Sequence, residues 1–586
     1  MDSDVAVIGG GLGAVAAALA AARAGRSVLL AAHAHRLGGQ TTTQLVPALD
    51  EHPHVEHAGV SASYRALREL TRAAYDGLPN PGDGWVSRLC AEPVAFERAL
   101  ETLLAPHVEA GRVTVLRSRT PVRAVRATDG TDRIDHVVLA GPGGDELTVR
   151  AEVFCDASEA GDLLPLAGAD WVCGSEGTDA HGELLALPGG PHPGAVQSCT
   201  VGFVVEHREG EDHTGPEPAG YAALRDAQPF TLDIAGWDDR THRYRVFTDG
   251  PDGHPPFWTY RRLRSGALLG GPDAALINWS GNDYAGSSSL DDPAAAYTHA
   301  KHLSAAFLHW LRTECPRDDG SGRGYPGLRL RPDITGTPDG FAAEPYLREA
   351  RRLRTARVVR EQDLTPVTGS ARAAAMPDAC GLASYHMDLH ARVGHPGSAY
   401  APTAPFQVPL SALVTERPGN LLAAAKNLGA TQVAAAAYRV HHGEWAVGEA
   451  AGALAAHAVA ARRSPAAVVA DPRTRLALQA RLVADGVPLA WLLDVPTDAE
   501  AAVPAHLLAA AGGLTGHRRA DLAVRPHEPA TDADRAALHT AAERLTGRPL
   551  TGVPVADDDS WAAQVRAVGT AIGLPTNGPA PAGGFA

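Results

Sequence analysis

Four apolar residues at positions 5–8 run straight into Gly9-Gly10-Gly11-Leu12-Gly13-Ala14. A short unbroken apolar run predicts a strand buried on both faces. Residues 15–23 are dense in alanine, the strongest helix former, and Gly25 supplies a C-terminal stop. A second apolar run follows at 27–30. Strand, glycine turn, helix and strand in about thirty residues make a βαβ unit.

Residues 50–110 are polar and read as mostly helical. The pattern then turns to β, with runs at 113–116, 134–139 and 147–149. Glycine-rich turns separate them, as in a meander or hairpins. A further run at 153–155 ends in Asp156-Ala157-Ser158. Residues 176–410 are rich in Gly, Pro, His and aromatics and predict a β-rich substrate domain with long loops. The run at 421–424 reads as a strand returning to the first domain. Gly448-Glu449-Ala450-Ala451-Gly452 reads as the opening of a helix to about residue 461. Past residue 463, short helices are punctuated by Pro and Asp, and the final Pro-Ala-Pro-Ala-Gly-Gly segment reads as disordered. The expected fold class is α/β. A Rossmann-like domain is assembled from 1–175 and 411–465, the substrate domain spans 176–410, and a helical C-terminal tail spans 466–586.

Composition narrows the function classes. A chain of 586 residues exceeds one hydrophobic core. A net charge of −15 without a Lys/Arg-rich run argues against nucleic acid as a partner. The six cysteines are scattered with no C-x-x-C pair, which argues against zinc or iron–sulfur ligation and for reduced, mostly buried thiols. No metal is expected. The start of the chain has no basic segment before its apolar run, and the alanine run at 14–24 is too short to span a bilayer. The expectation is a cytoplasmic protein that does not engage a membrane.

Gly9-x-Gly11-x-x-Ala14 stands between strand and helix, where a dinucleotide fingerprint belongs. Gly9 permits the tight turn, Gly11 lets backbone approach a pyrophosphate, and Ala14 allows close helix–strand packing. Leu12 and Gly13 begin the helix whose amides face the phosphates. The acidic residue expected at the end of the second strand is missing, since Ala31-Ala32-His33-Ala34-His35-Arg36 stands there. His33, His35 or Arg36 is available to substitute; the competing readings are a ribose held by backbone and a weakened or altered cofactor preference.

Several further segments occur in the order of one known family. They are Gly38-Gly39-Gln40-Thr41-Thr42-Thr43-Gln44, Asp156-Ala157-Ser158-Glu159-Ala160-Gly161-Asp162, Ile277-Asn278-Trp279 with Asn282-Asp283-Tyr284, and Tyr325-Pro326-Gly327-Leu328. Pro345-Tyr346-Leu347-Arg348-Glu349 follows, then Asn420 to Gly429 around Asn427, then Glu444-Trp445 with Gly448-Glu449-Ala450. Over residues 1 to about 465 the chain resembles the FAD-dependent oxidoreductases. It departs from their pattern at Ala32, Ala350 and Ser384. The resemblance implies FAD as cofactor and a helix N-terminus, with His441 nearby, at the pyrimidine end of the flavin. Residues 503–538 faintly resemble a single S-layer-homology-like repeat and are read as a small helical appendage.

Flavin chemistry needs a substrate held over the ring and usually a base. His386, Asp388 and His390 alternate along residues 385–390, so a strand there puts all three on one face. His390 is the candidate base and Asp388 its orienter. The competing readings of this face are structural polar contacts or a metal site. Arg348 and Glu349 form a candidate clamp for a substrate carboxylate, or one end of a solvated charged helix. His52, in Asp50-Glu51-His52, is a candidate group facing the ring. The expected function is oxidation of a small polar molecule, with hydride transfer to flavin N5 and reoxidation by dioxygen or another acceptor. A redox partner or self-association is an open expectation. The alternatives are a flavin monooxygenase and a flavin-free protein that kept the fold.

Overall fold

In the computed structural model, which describes residues 1–235, 240–552 and 556–575, the first apolar run is β1 (Asp2–Ile8), fully buried from Val5 onward. The glycine turn leads into α1 (Leu12–Arg23) and then β2 (Val28–Ala31). α2 (Ala62–Ala73) and α3 (Pro93–Glu109) follow, then β3 (Val113–Leu116), β4 (Thr120–Arg126), β5 (Ile134–Ala140) and β6 (Glu146–Asp156). Much later, β7 (Leu421–Ala423) rejoins this sheet and α4 (His441–Ala461) packs on it. The terminal Pro-Ala-Pro-Ala-Gly-Gly segment lies outside the described residues.

Strands β3, β2, β1 and β6 run parallel in that order, and β7 pairs in parallel with the end of β6. The order reverses between β1 and its neighbours, so the C-terminal ends of β1, β2 and β6 border a crevice. β6 is one strand where the pattern suggested two. Its first half pairs antiparallel with β5, which pairs with β4, and Arg150 and Glu152 point to solvent there. Those two polar residues break the apolar run without breaking the strand. β4 escaped the pattern because it is a half-exposed edge strand.

α4 begins at His441, two turns before Gly448. Gly448, Glu449 and Ala450 therefore lie inside the helix and do not open it. The start was hidden because polar His441, His442 and Glu444 are buried there. Gly448 serves the crossing of α4 over α1. A Cβ at Gly448 would stand 2.0 Å from the Gly13 carbonyl oxygen, and one at Gly452 would stand 2.1 Å from that of Ala17.

The intervening region builds its own core. Strand Phe203–His207 lies between Ala274–Ile277 and Leu328–Leu330, and helix Pro293–Thr313 contributes Phe307 and Trp310 to the same apolar cluster. Cys199–Thr200 pairs with both Asp283–Tyr284 and Tyr346–Leu347, which brings distant charged residues together. The C-terminal helices share the first core, through Trp561, Leu507 and Leu538. They are built into the domain, not appended to it. None of the helices among the described residues is long and apolar enough to cross a membrane.

Candidate functional site

Three turns meet at the C-terminal ends of β1, β2 and β6. Gly9 has φ +140°, and a Cβ on it would stand 2.0 Å from the Ala157 carbonyl oxygen, so the two turns touch backbone to backbone. Gly38 has φ +114° and donates its amide to Gly10 O at 2.8 Å. Thr41 Oγ1 donates to Gly38 O and closes that turn. Leu12 and Ala14 are fully buried beneath.

The carboxylate of Glu159 lies over this floor. Cβ atoms on Gly11 and Gly39 would stand 2.3 and 2.4 Å from its Oε1. Lys426 Nζ pairs with Glu159 and lies 4.0 Å from Glu444 Oε2. Glu444 Oε1 accepts the Gly13 amide at 3.2 Å, and its Oε2 accepts from Gln40 Nε2. Burial, then the charge of Glu159, pushes Glu444 up to about 7. The N-terminus of α1 faces anionic oxygen, as its free amides and dipole favour. A dinucleotide pyrophosphate needs a glycine floor, amides that donate to anionic oxygen and a buried ammonium, and it would take the place of the Glu159 carboxylate over that floor. These residues fit that group.

The start of α4 is pinned to the loop after the glycine turns by two neutral histidines. Asp50 N donates to His441 Nδ1 at 3.0 Å, so His441 carries its proton on Nε2 and donates to Val46 O at 2.9 Å. His442 has the opposite tautomer, with Nε2 accepting from Ser384 N at 3.2 Å and Nδ1 donating to Asp50 O at 3.2 Å. Burial pushes both down to about 4. Both rings are fully engaged in positioning these loops.

Met387–Leu389 is a strand, with Met387 and Leu389 buried, so His386, Asp388 and His390 share its other face. They differ in state. His390 Nδ1 lies 2.6 Å from Asp283 Oδ2, and Nε2 lies 3.1 Å from Asp388 Oδ2. Burial and nearby Arg348 oppose a charge on the ring, but Asp388 and Asp283 outweigh them and its pKa is raised. Both ring nitrogens face carboxylate oxygens, which favours the imidazolium, and in that form His390 has no lone pair with which to act as the base expected from the sequence. His386 stacks on Tyr385 with centroids 3.9 Å apart, and its ring has no hydrogen-bond partner among the described residues. Burial lowers its pKa against the pull of Asp388, so it is the neutral member.

Arginines close the cluster. Arg348 Nη2 pairs with Asp283 at 2.8 Å, and Arg439 Nη2 with Asp388 at 2.9 Å. Arg439 Nη1 donates to Tyr346 OH at 2.7 Å, and Arg439 O accepts from Gln40 Nε2 at 2.9 Å. Gln40 thereby links the glycine cradle to the charged cluster. Asp283, Arg439, Lys426 and Glu444 were given no role by sequence reasoning. Asp283, Lys426 and Glu444 stood inside quoted motifs and were the findable ones. Arg439 gave no signal.

Other expected site residues are elsewhere. Glu349 does not act with Arg348, since its carboxylate pairs with buried Arg352 at 2.6 Å and accepts from Gly174 N and Gln197 N. Neither belongs to a solvated helix; both are buried beside strand Tyr346–Leu347. Arg36 is turned to Glu97 at 2.8 Å. Asp156 accepts from Ser158 N, Ser158 Oγ and Leu163 N and shapes the turn after β6, and burial pushes it up to about 7. Asn427 Nδ2 donates to Asp156 O at 3.0 Å. Glu449 accepts from Ser63 Oγ at 2.6 Å on the far side of α4. His52 is buried edge-on against His442 and Trp491, and burial pushes it down to about 2.

Residues 4–482 match the family model described as FAD dependent oxidoreductase. Among solved structures, the chain is similar to CabE, an aromatic hydroxylase from angucycline biosynthesis, at 16% identity over 37% of this chain and 40% of that one, with a TM-score of 0.22. It is similar to the flavin-dependent monooxygenase PieE in complex with FAD and substrate, at 16% identity over 35% of each chain, TM-score 0.21. It is also similar to L-proline dehydrogenase from P. horikoshii, at 17% identity over 27% of this chain and 23% of that one, TM-score 0.16. The chain spans 40% or less of the length of these three structures. No curated protein matches it.

Proposed function

The chain belongs to the FAD dependent oxidoreductase family and is an FAD-dependent enzyme, and from that premise we propose that it oxidises a small polar molecule as a dehydrogenase or oxidase. When bound, FAD supplies the two-electron acceptor. Gly11, Gly13, Gly39 and Lys426 would hold its pyrophosphate.

The observation that carries the reading is the polar face of His386, Asp388 and His390, joined to the cradle through Arg439 and Gln40. On that face Arg348, Arg439 and the His390 imidazolium oppose the carboxylates of Asp283 and Asp388. The excess of one positive charge favours a substrate carrying a carboxylate. Neutral His386 can take the proton such a substrate loses. The 384–386 loop is tied by His442 to the N-terminus of α4, whose dipole favours negative charge.

The test is anaerobic bleaching of the flavin by a panel of small hydroxy acids and amino acids, followed by reoxidation with dioxygen or a quinone. Bleaching by one class, lost in His386→Asn, supports the reading. Bleaching only by NAD(P)H, with an oxygen atom then inserted into a second substrate, would make the protein a monooxygenase instead.

A further inference from the structure

The acid missing at the end of β2 arrives from another part of the chain. Ala32 is fully buried, and a Cβ on Gly10 would stand 2.7 Å from its own Cβ. The neighbours do not supply the carboxylate either: His33 and His35 carry none, and Arg36 is committed to Glu97. Glu344 belongs to the loop before Tyr346–Leu347. Its amide donates to Thr43 O at 3.0 Å. Its carboxylate accepts from Thr43 Oγ1 and pairs with His33 Nε2 at 2.5 Å.

Glu344 and His33 line a cavity of about 230 Å³ with Ile8, Gly9, Ala31 and Ser158, at the C-terminal ends of β1 and β2. In a doubly wound sheet this crevice takes the adenosine half of a dinucleotide. We propose that Glu344 is the ribose-binding acid of this protein, supplied by the substrate region in place of Ala32. A carboxylate offers about four lone-pair sites. Thr43 and His33 occupy two, which leaves acceptors for two vicinal hydroxyls. Burial opposes the charge on Glu344, but His33 outweighs it and keeps the group ionised. Although burial pulls His33 the other way, the Glu344 partnership holds it up to about 9, so the pair is formed at neutral pH. Of the other carboxylates in the cavity, Asp162 pairs with Arg351, and Glu159 pairs with Lys426 through Oε2 while its free Oε1 is turned to Gly11 and Gly39, over the pyrophosphate floor. Because Glu344 belongs to the substrate region, cofactor binding would couple the two cores.

This rests on the FAD assignment, and the experiment separates the two. Flavin-free protein is titrated with FAD, ADP, 2′-deoxy-ADP and 3′-deoxy-ADP by calorimetry, as wild type, as Glu344→Gln and as Glu344→Gln with Ala32→Glu. The wild type should bind ADP about tenfold to a hundredfold more tightly than at least one deoxy form. Glu344→Gln should lose FAD affinity by the same factor, bind ADP and both deoxy forms alike, and melt as the wild type does without ligand. Discrimination by Glu344→Gln equal to that of the wild type, or none in the wild type, would overturn the inference. Equal loss for all four ligands with a lowered melting temperature would show a structural role and overturn it too. Recovery in the double variant would strengthen it. A wild type that bound no FAD would overturn the underlying assignment.

Discussion

Replacing Gly448 by Ala tests whether this glycine packs a helix or touches a cofactor. An isolated helix gains about 0.8–1.0 kcal/mol from such a change. Here the new methyl would stand 2.0 Å from Gly13 O, 2.5 Å from Gly13 Cα and 2.6 Å from Gly13 C. All three are backbone atoms that no rotamer change can move. Ordinary contact starts near 3.4 Å, so α4 and α1 must separate by more than an ångström. Overpacking of this kind costs about 1–3 kcal/mol and sometimes more. With backbone as the obstacle we take the upper end, so the net loss is about 1–2 kcal/mol after the propensity gain. Gly452→Ala meets Ala17 O at 2.1 Å and should cost a similar amount. One separation of the helices relieves both clashes, so the double variant should lose less than the sum. Urea unfolding followed by circular dichroism, without cofactor, measures all three. Unchanged or increased stability in Gly448→Ala, with FAD affinity alone reduced, would refute the packing argument.

Lys426→Met leaves Glu159 and Glu444 buried without their cation and should cost about 3–5 kcal/mol at pH 8; because protonation of Glu444 relieves the repulsion, denaturation midpoints should show a smaller deficit at pH 5. His390 gains its raised pKa from two carboxylates, so its stabilisation is complete below about 6.5 and lost as pH rises through its folded value. Asp388 and Asp283 are lowered, so theirs is present above about 4 and lost as pH falls. Asp388→Asn should consequently move the alkaline limb of the stability profile toward lower pH, and an unmoved limb would count against the imidazolium assignment. His386→Asn should reduce turnover by about 10²–10⁴-fold with FAD still bound, whereas retained turnover would remove His386 as proton acceptor. Trp491→Ala should cost about 3–5 kcal/mol and raise the pKa of His52 by exposing it, readable by NMR titration of the ring.

The parts of the fold set by short-range rules were visible in the sequence. β1, the Gly9–Gly11 turn and α1 lie where the apolar run and the glycines put them. α4 was misjudged at its start, because its first turn buries polar side chains whose partners lie some 390 residues away, as His441 with Asp50 shows. The site divides in the same way. Alternation correctly placed His386, Asp388 and His390 on one face of a strand. Their separate charge states depend on Asp283 and Arg348, which arrive through the pairing of Cys199–Thr200 with two distant strands. Glu349 looked like a partner for Arg348 because the two are adjacent, but past the end of the strand at Leu347 its carboxylate turns to Arg352. Glu344 answers the absence at Ala32 across more than three hundred positions, a distance that no local pattern spans.

The central claim is that the cradle formed by Gly11, Gly39 and Lys426 holds FAD. The most direct measurement is the visible spectrum of freshly purified protein before and after heat denaturation, with the released chromophore identified by mass. The visible absorption of oxidised flavin is expected, with FAD released on denaturation. A colourless protein that stays colourless after incubation with excess FAD would contradict the account.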